Sequence, residues 1–77
     1  MSTKGKVVGI ISNLVTVAVD GPVMQNEICY IIMSDVKLMA EIIRIGENNA
    51  YIQVFESTRG LKIGTEVEFT GHMLEAT

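Results

Sequence analysis

Several residues in this 77-residue chain have the types and spacing for chemistry. Gly60-Leu61-Lys62-Ile63-Gly64 sets a lysine between two glycines, the composition of a loop that cradles phosphate on backbone N–H groups. His72, with Glu66, Glu68 and Glu75 close in sequence, offers nitrogen and oxygen donors of the kind zinc takes. Ser12, Ser34 and Ser57 could be nucleophiles if His72 served one of them as base. Cys29 is the single thiol.

None of these groupings completes a known chemical pattern. The glycine-rich piece lacks the Lys-Ser/Thr ending of a phosphate loop and leads into a strand rather than a helix, so it reads as a tight connection with two residues at unusual φ. Zinc would need several carboxylates to converge on one histidine, and Glu66 and Glu68 share a strand face of the solvated kind. No serine sits in a Gly-x-Ser-x-Gly elbow. Cys29 lies in the apolar run Ile28 to Met33 and reads as a buried, inert thiol. Paired carboxylates cannot be picked out of nine acidic residues, and so small a chain has little room for a pocket of roughly 300 Å³. No catalytic, nucleotide-binding or metal-binding residue is assigned.

Composition narrows the partners. The net charge is −3, and the basic residues Lys4, Lys6, Lys37, Arg44, Arg59 and Lys62 are scattered, which argues against a phosphate backbone as ligand. Tyr51 and Phe55 share a face with Gln53 rather than with Lys or Arg, unlike a base-stacking platform. The length allows one domain, which buries roughly 60% of the surface of its unfolded chain. Its 48% apolar content, with seven Gly on top, exceeds what a small interior can hold, so apolar side chains should face outward toward a partner. No run reaches the roughly 18 apolar residues of a membrane span, and no signal-peptide core precedes Val7; a soluble, cytoplasmic chain is expected.

These residues are carried by short strands. Gly5 to Ser12 is the first, with Val7 and Ile11 read on one face and Val8 and Ile10 on the other. Leu14 to Asp20 alternates cleanly, Val15, Val17 and Val19 against Thr16, Ala18 and Asp20. Asp20-Gly21-Pro22 punctuates the chain. Glu27 to Met33 suits a strand covered on both faces. In Ala50 to Glu56, Ile52 and Val54 oppose Tyr51, Gln53 and Phe55. Glu66 to Thr70 alternates again, and Gly71 is expected to end it. Asp35 to Ile45 resists this scheme: Lys37, Glu41 and Arg44 fall at helical spacing, while Ile42, Ile43 and Ile45 favour strand. The whole indicates an all-β barrel or sandwich.

Particular stretches then carry a family resemblance. Gly5-Lys6-Val7-Val8-Gly9-Ile10, Val15-Thr16-Val17, Ala40-Glu41-Ile42-Ile43-Arg44-Ile45 and above all Ala50 through Gly64, with the pattern Thr58-x-Gly60-Leu61-x-x-Gly64, resemble the N-terminal β-barrel of the catalytic A subunit of V-type and archaeal-type rotary ATPases. Val67 to Gly71 continues the match, and Gly71-His72-Met73-Leu74-Glu75 tilts it toward the A subunit. Asn13 and Ala40 stand where many relatives have Gly.

The resemblance implies a small closed six-stranded β-barrel over residues 1–77, with strand rather than helix at 35–45. It implies an excised, redesigned or reconstructed domain without the family's nucleotide-binding domain. The function implied is a non-catalytic crown domain that holds the catalytic ring together through A and B subunit barrels. ATP and magnesium would belong to the parent subunit and no cofactor to this chain. The parent complex would couple ATP hydrolysis or synthesis to proton or sodium transport. The chain would be peripheral, membrane-associated only through that complex, and bind no nucleic acid. Val8, Ile10, Tyr30, Tyr51 and Phe55 are the candidate subunit-interface residues; Thr58, Gly60, Leu61 and Gly64 form the family-signature loop. Alone, the chain would be a monomer or self-associate. The alternative is a free-standing β-barrel module that binds peptide or oligonucleotide.

Overall fold

The structure is a computed structural model and describes residues 3–73. Period-2 alternation of apolar side chains builds the strands β1 (Lys4–Ile11), β2 (Leu14–Val19), β3 (Glu27–Ile32), β4 (Lys37–Ile45), β5 (Asn49–Val54) and β6 (Glu66–Met73). They close into one antiparallel barrel in the order β1-β2-β5-β4-β3-β6. The ambiguous segment is therefore strand, as the family resemblance implied. Inward side chains supply the core: Val7, Val15, Val17, Cys29, Ile31, Leu38, Ala40, Ile42, Ala50, Ile52, Val54, Val67 and Phe69. Phe69 is the largest fully buried side chain. The first residues of β3, Glu27, Ile28 and Cys29, are all buried, and alternation returns after them.

Closure happens at a short seam. β1 meets β6 through Lys4–Glu68, Gly5–Val67 and Lys6–Glu66 only, and Gly5 also faces Val19 across β2. A Cβ on Gly5 would stand 2.5 Å from the Ala18 carbonyl oxygen, 2.7 Å from Val17 Cγ1 and 3.3 Å from Phe69 Cε2, so the strands approach as they do because none is there. The Lys4–Glu66 ion pair over the seam is exposed, at 3.7 Å, and adds little stability.

Bulges break the alternation at three places. In β1 the register slips between Val7 and Gly9, leaving Val8 without a partner on β2. In β4 it slips between Ile42 and Arg44, leaving Ile43 over. Between the Cys29–Phe69 and Glu27–Met73 pairs, β6 carries Thr70, Gly71 and His72 where β3 has Ile28 alone.

The bulges correct two sequence-based expectations. Val7 and Ile11 do not share a face: the extra residue turns Ile10 inward against the core, while Val8 and Ile11 point out. Gly71 does not end the last strand. It adopts φ 78° within β6, and pairing resumes at Met73.

This face assignment separates two single variants. Ile10→Asp puts a charge against the core and is expected to cost roughly 2–4 kcal/mol. Val8→Asp, at a position 49% exposed, is expected to cost about 1 kcal/mol or less. Urea denaturation of each variant checks this, and equal losses would refute the phase slip.

Candidate functional site

The loop from Glu56 to Thr65 is built from two successive turns. Leu61 N–H donates to the Thr58 carbonyl at 2.9 Å and Thr65 N–H to the Lys62 carbonyl at 3.2 Å. In each turn the third residue is a glycine at positive φ, Gly60 at 86° and Gly64 at 93°. That is the type II arrangement, which asks for glycine at this point. The loop is tied to the barrel at both ends. Thr58 Oγ1 donates to the Ser12 carbonyl at 2.9 Å. Gly64 N–H donates to the Val7 carbonyl at 2.7 Å, and Val7 N–H to the Thr65 carbonyl at 2.9 Å. Leu61 tucks against the core. Thr58, Gly60, Leu61 and Gly64 thus have structural work, extending the β1 edge where β6 no longer reaches it. The tight-connection reading of this loop holds, including its two unusual φ values.

At the opposite turn, Ser12 takes φ 55° and Asn13 Nδ2 donates to the carbonyls of Val54 and Glu56, at 3.1 and 3.0 Å. Asn13 therefore does with its side chain what a glycine could not. It binds the β1–β2 turn to the start of the signature loop.

Cys29 is fully buried, with its thiol 3.7 Å from the Ala40 carbonyl. Burial, reinforced by the nearby Glu27 carboxylate, pushes the thiol up from 9.0 to about 12. Such a thiol is inert, as its apolar sequence context suggested. Glu27 went unnoticed in the sequence because it stands at the border of an apolar run. It is 3% exposed and accepts hydrogen bonds from the N–H groups of Met24 and Gly71, at 2.9 and 2.8 Å.

The other candidate chemistry does not assemble among the described residues. Among the described residues no group of three or more His, Cys, Asp or Glu could hold a metal ion. Glu75, Leu74 and the rest of the terminal segment lie outside the described residues. His72 is exposed at the end of β6, and Ser57 Oγ accepts the Arg59 N–H at 3.2 Å. Two open surface grooves exceed the size expected of so small a chain. One of about 330 Å³ is lined by Ile32 to Lys37 and one of about 360 Å³ by Ile32, Met33, Ser34, Gly60, Lys62 and Thr65. Neither lining contains His, Cys or Glu. No helix of the described residues is long and apolar enough to cross a membrane.

The outer face gathers some of the candidate contact residues. Tyr30 lies opposite Met39, and Phe55 N–H donates to the Met39 carbonyl at 3.0 Å, so Tyr30 on β3, Met39 on β4 and Phe55 just past the end of β5 form one row. Met39 was not singled out in the sequence, because it lies in the segment whose polar residues fall at helical spacing. Tyr51 belongs to another row, between Thr16 and Arg44. Val8 is outward on its bulge, and Ile10 is not among the outward residues.

Comparison with known proteins places this geometry. The profile of the ATP synthase alpha/beta family, β-barrel domain, matches residues 7–71. The V-type ATP synthase alpha chain of Borrelia duttonii is 51% identical over 74 residues, which is 96% of this chain and 13% of that one. The V-type ATP synthase alpha chain of Treponema denticola is 50% identical over 72 residues, 94% of this chain and 12% of that one. That of Borreliella burgdorferi strain B31 is 49% identical, with 96% and 13% covered. The chain thus spans about 13% of the length of the curated relatives it matches.

Two outcomes follow from this geometry. The unfolded Cys29 thiol loses its proton near 9.0 and the folded one near about 12, so its contribution to stability is whole below pH 9 and is lost as pH rises to 12. By pH 10, relative to pH 7.5, the chain should lose about 1 kcal/mol more than a Cys29→Ala variant in denaturant titrations. Gly60→Ala and Gly64→Ala should each cost about 1–2 kcal/mol through φ alone, since no atom stands closer than 3.8 Å to either new methyl. Gly9→Ala, in ordinary contact with Thr16 at 3.5 Å, should cost far less in the same thermal melts.

Proposed function

Because the chain belongs to the ATP synthase alpha/beta family, as its β-barrel domain, we propose that it is a non-catalytic assembly domain of a V-type rotary ATPase alpha chain. One observation carries the non-catalytic part. Arg59, Leu61, Gly64 and Thr65 all spend their N–H groups on acceptors within the loop or on β1, so the glycine-rich loop is occupied in holding the barrel together. A phosphate-binding loop needs such groups turned toward its ligand. ATP and magnesium are bound by parts of the subunit beyond this chain.

The assembly part rests on the outward apolar side chains. Phe55 is 48% exposed, and the Tyr30–Met39–Phe55 row lies where polar residues would suit a solvated barrel. Val8, Tyr30, Tyr51 and Phe55 meet neighbouring A and B barrels in a crown; Ile10 is left out because it packs on the core. The ladder bonds of a closed barrel are internal, so the crown keeps its shape while the rest of each subunit moves. The complex couples ATP hydrolysis or synthesis to proton or sodium transport, and this domain sits at its cytoplasmic, peripheral part, away from the bilayer.

The test mixes the purified chain with a purified B-type barrel and follows association by light scattering, with an ATP titration by calorimetry alongside. Association is expected, weakened at least tenfold by Tyr30→Asp or Phe55→Asp with the fold retained, and no ATP heat is expected. Stoichiometric ATP binding would sink the non-catalytic reading. Undiminished association of both variants would sink the interface.

A further inference from the structure

Glu27 is the one buried charged residue among those described, and no step of the assembly function calls for it. Its surroundings assign it a task. The β6 bulge takes Thr70, Gly71 and His72 out of register with β3, and side chains meet the backbone groups there. Glu27 Oε2 accepts the Gly71 N–H at 2.8 Å. Thr70 Oγ1 donates to the Ile28 carbonyl at 2.7 Å and accepts the His72 N–H at 3.1 Å.

The other oxygen of Glu27 reaches a second segment. Oε1 accepts the Met24 N–H at 2.9 Å, and Glu27 N–H returns a bond to the Met24 carbonyl at 3.1 Å. That connection is itself stitched to the bulge of β4. Gln25 Nε2 donates to the Ile43 carbonyl at 2.6 Å, Asn26 N–H to the Ile42 carbonyl at 2.9 Å, and Asn26 Nδ2 to Glu41 Oε2 at 3.0 Å. One carboxylate therefore fastens the end of β6 to a loop anchored on β4, across the intervening strand β3.

We infer that Thr70–Met73 is a latched segment, closed by Glu27 and able to open while the rest of the barrel stays shut. Up to Phe69, β6 is held by regular ladder pairs and apolar packing; beyond it β3 meets β6 in the single ladder pair Glu27–Met73, and the residues between are tied by side-chain bonds around Gly71 at φ 78°. Segments secured in this way open at lower free energy than the whole domain. Glu27 is then a positioning residue.

Amide hydrogen exchange on the chain alone tests the latch, so a failure of the assembly reading would leave the result intact. In Glu27→Gln, the amides of Gly71 and Met24 are expected to exchange about ten- to a hundredfold faster, the loss of a bond to a charged acceptor, with Val54 and Val67 unchanged. The same acceleration at Val54 and Val67 would mean that Glu27 acts only through global stability, and overturns the inference. So would unchanged exchange at Gly71. Should Glu27→Gln fail to fold, Thr70→Val provides the second variant: faster exchange confined to Gly71 and His72 supports the latch, and faster exchange throughout refutes it.

Discussion

The barrel depends on the bare Cα of Gly5. Six short strands can close only if the first and last come near enough to pair, and that approach happens where Gly5 faces Val19 on one side and Val67 on the other. The space a methyl would take is filled by Val17, Phe69 and the Ala18 carbonyl. Phe69 is seated there, in one core cluster with the inward side chains of the other strands. An open sheet of this composition would leave two unpaired edges and its inward apolar face in water. Closure removes both problems, and the later features extend or trim it.

The bulges do the trimming. Each breaks a ladder, and at two of them side chains bind the backbone nearby. Gln25 reaches the Ile43 carbonyl beside β4, and Glu27 with Thr70 holds β6. At the third, in β1, backbone suffices: the signature loop pairs with Val7, one residue before the bulge. Among the described residues no buried side-chain polar atom lacks a partner. The bulges also raise Val8 and Ile43 out of the alternation and present them to solvent. The apolar surplus of the composition is thus placed on the outside at defined positions.

Where the ladder is regular, sequence and structure agree. Alternation in Leu14–Val19 and Asn49–Val54 assigned inside and outside correctly, and the two glycines of the signature loop announced their φ values. The irregular places were harder. In β4, Lys37 and Glu41 are four apart on the outer face, and the bulge at Ile43 brings Arg44 outward three residues later. Four and three average to the helical period, so a bulged strand imitates a helix. The same slip in β1 exchanged Ile10 with Ile11. Gly71 looked like a terminator because a glycine that permits a bulge and one that ends a strand are identical in one dimension. Glu27 was illegible for a different reason: its partners are backbone N–H groups, one of them far along the chain, and backbone carries no letter.

The short β1–β6 seam has a kinetic side. β1–β2, β3–β4 and β4–β5 join strands that are neighbours in the chain, and each can form with little loss of loop entropy. The seam joins the first and last strands and returns only three residue pairs, so its entropy cost comes before most of its reward. Closure is therefore expected late in folding, with Gly5 meeting Val67 after the hairpins exist. Until then the exposed strands β1 and β6 are the part of the chain most open to pairing with another molecule.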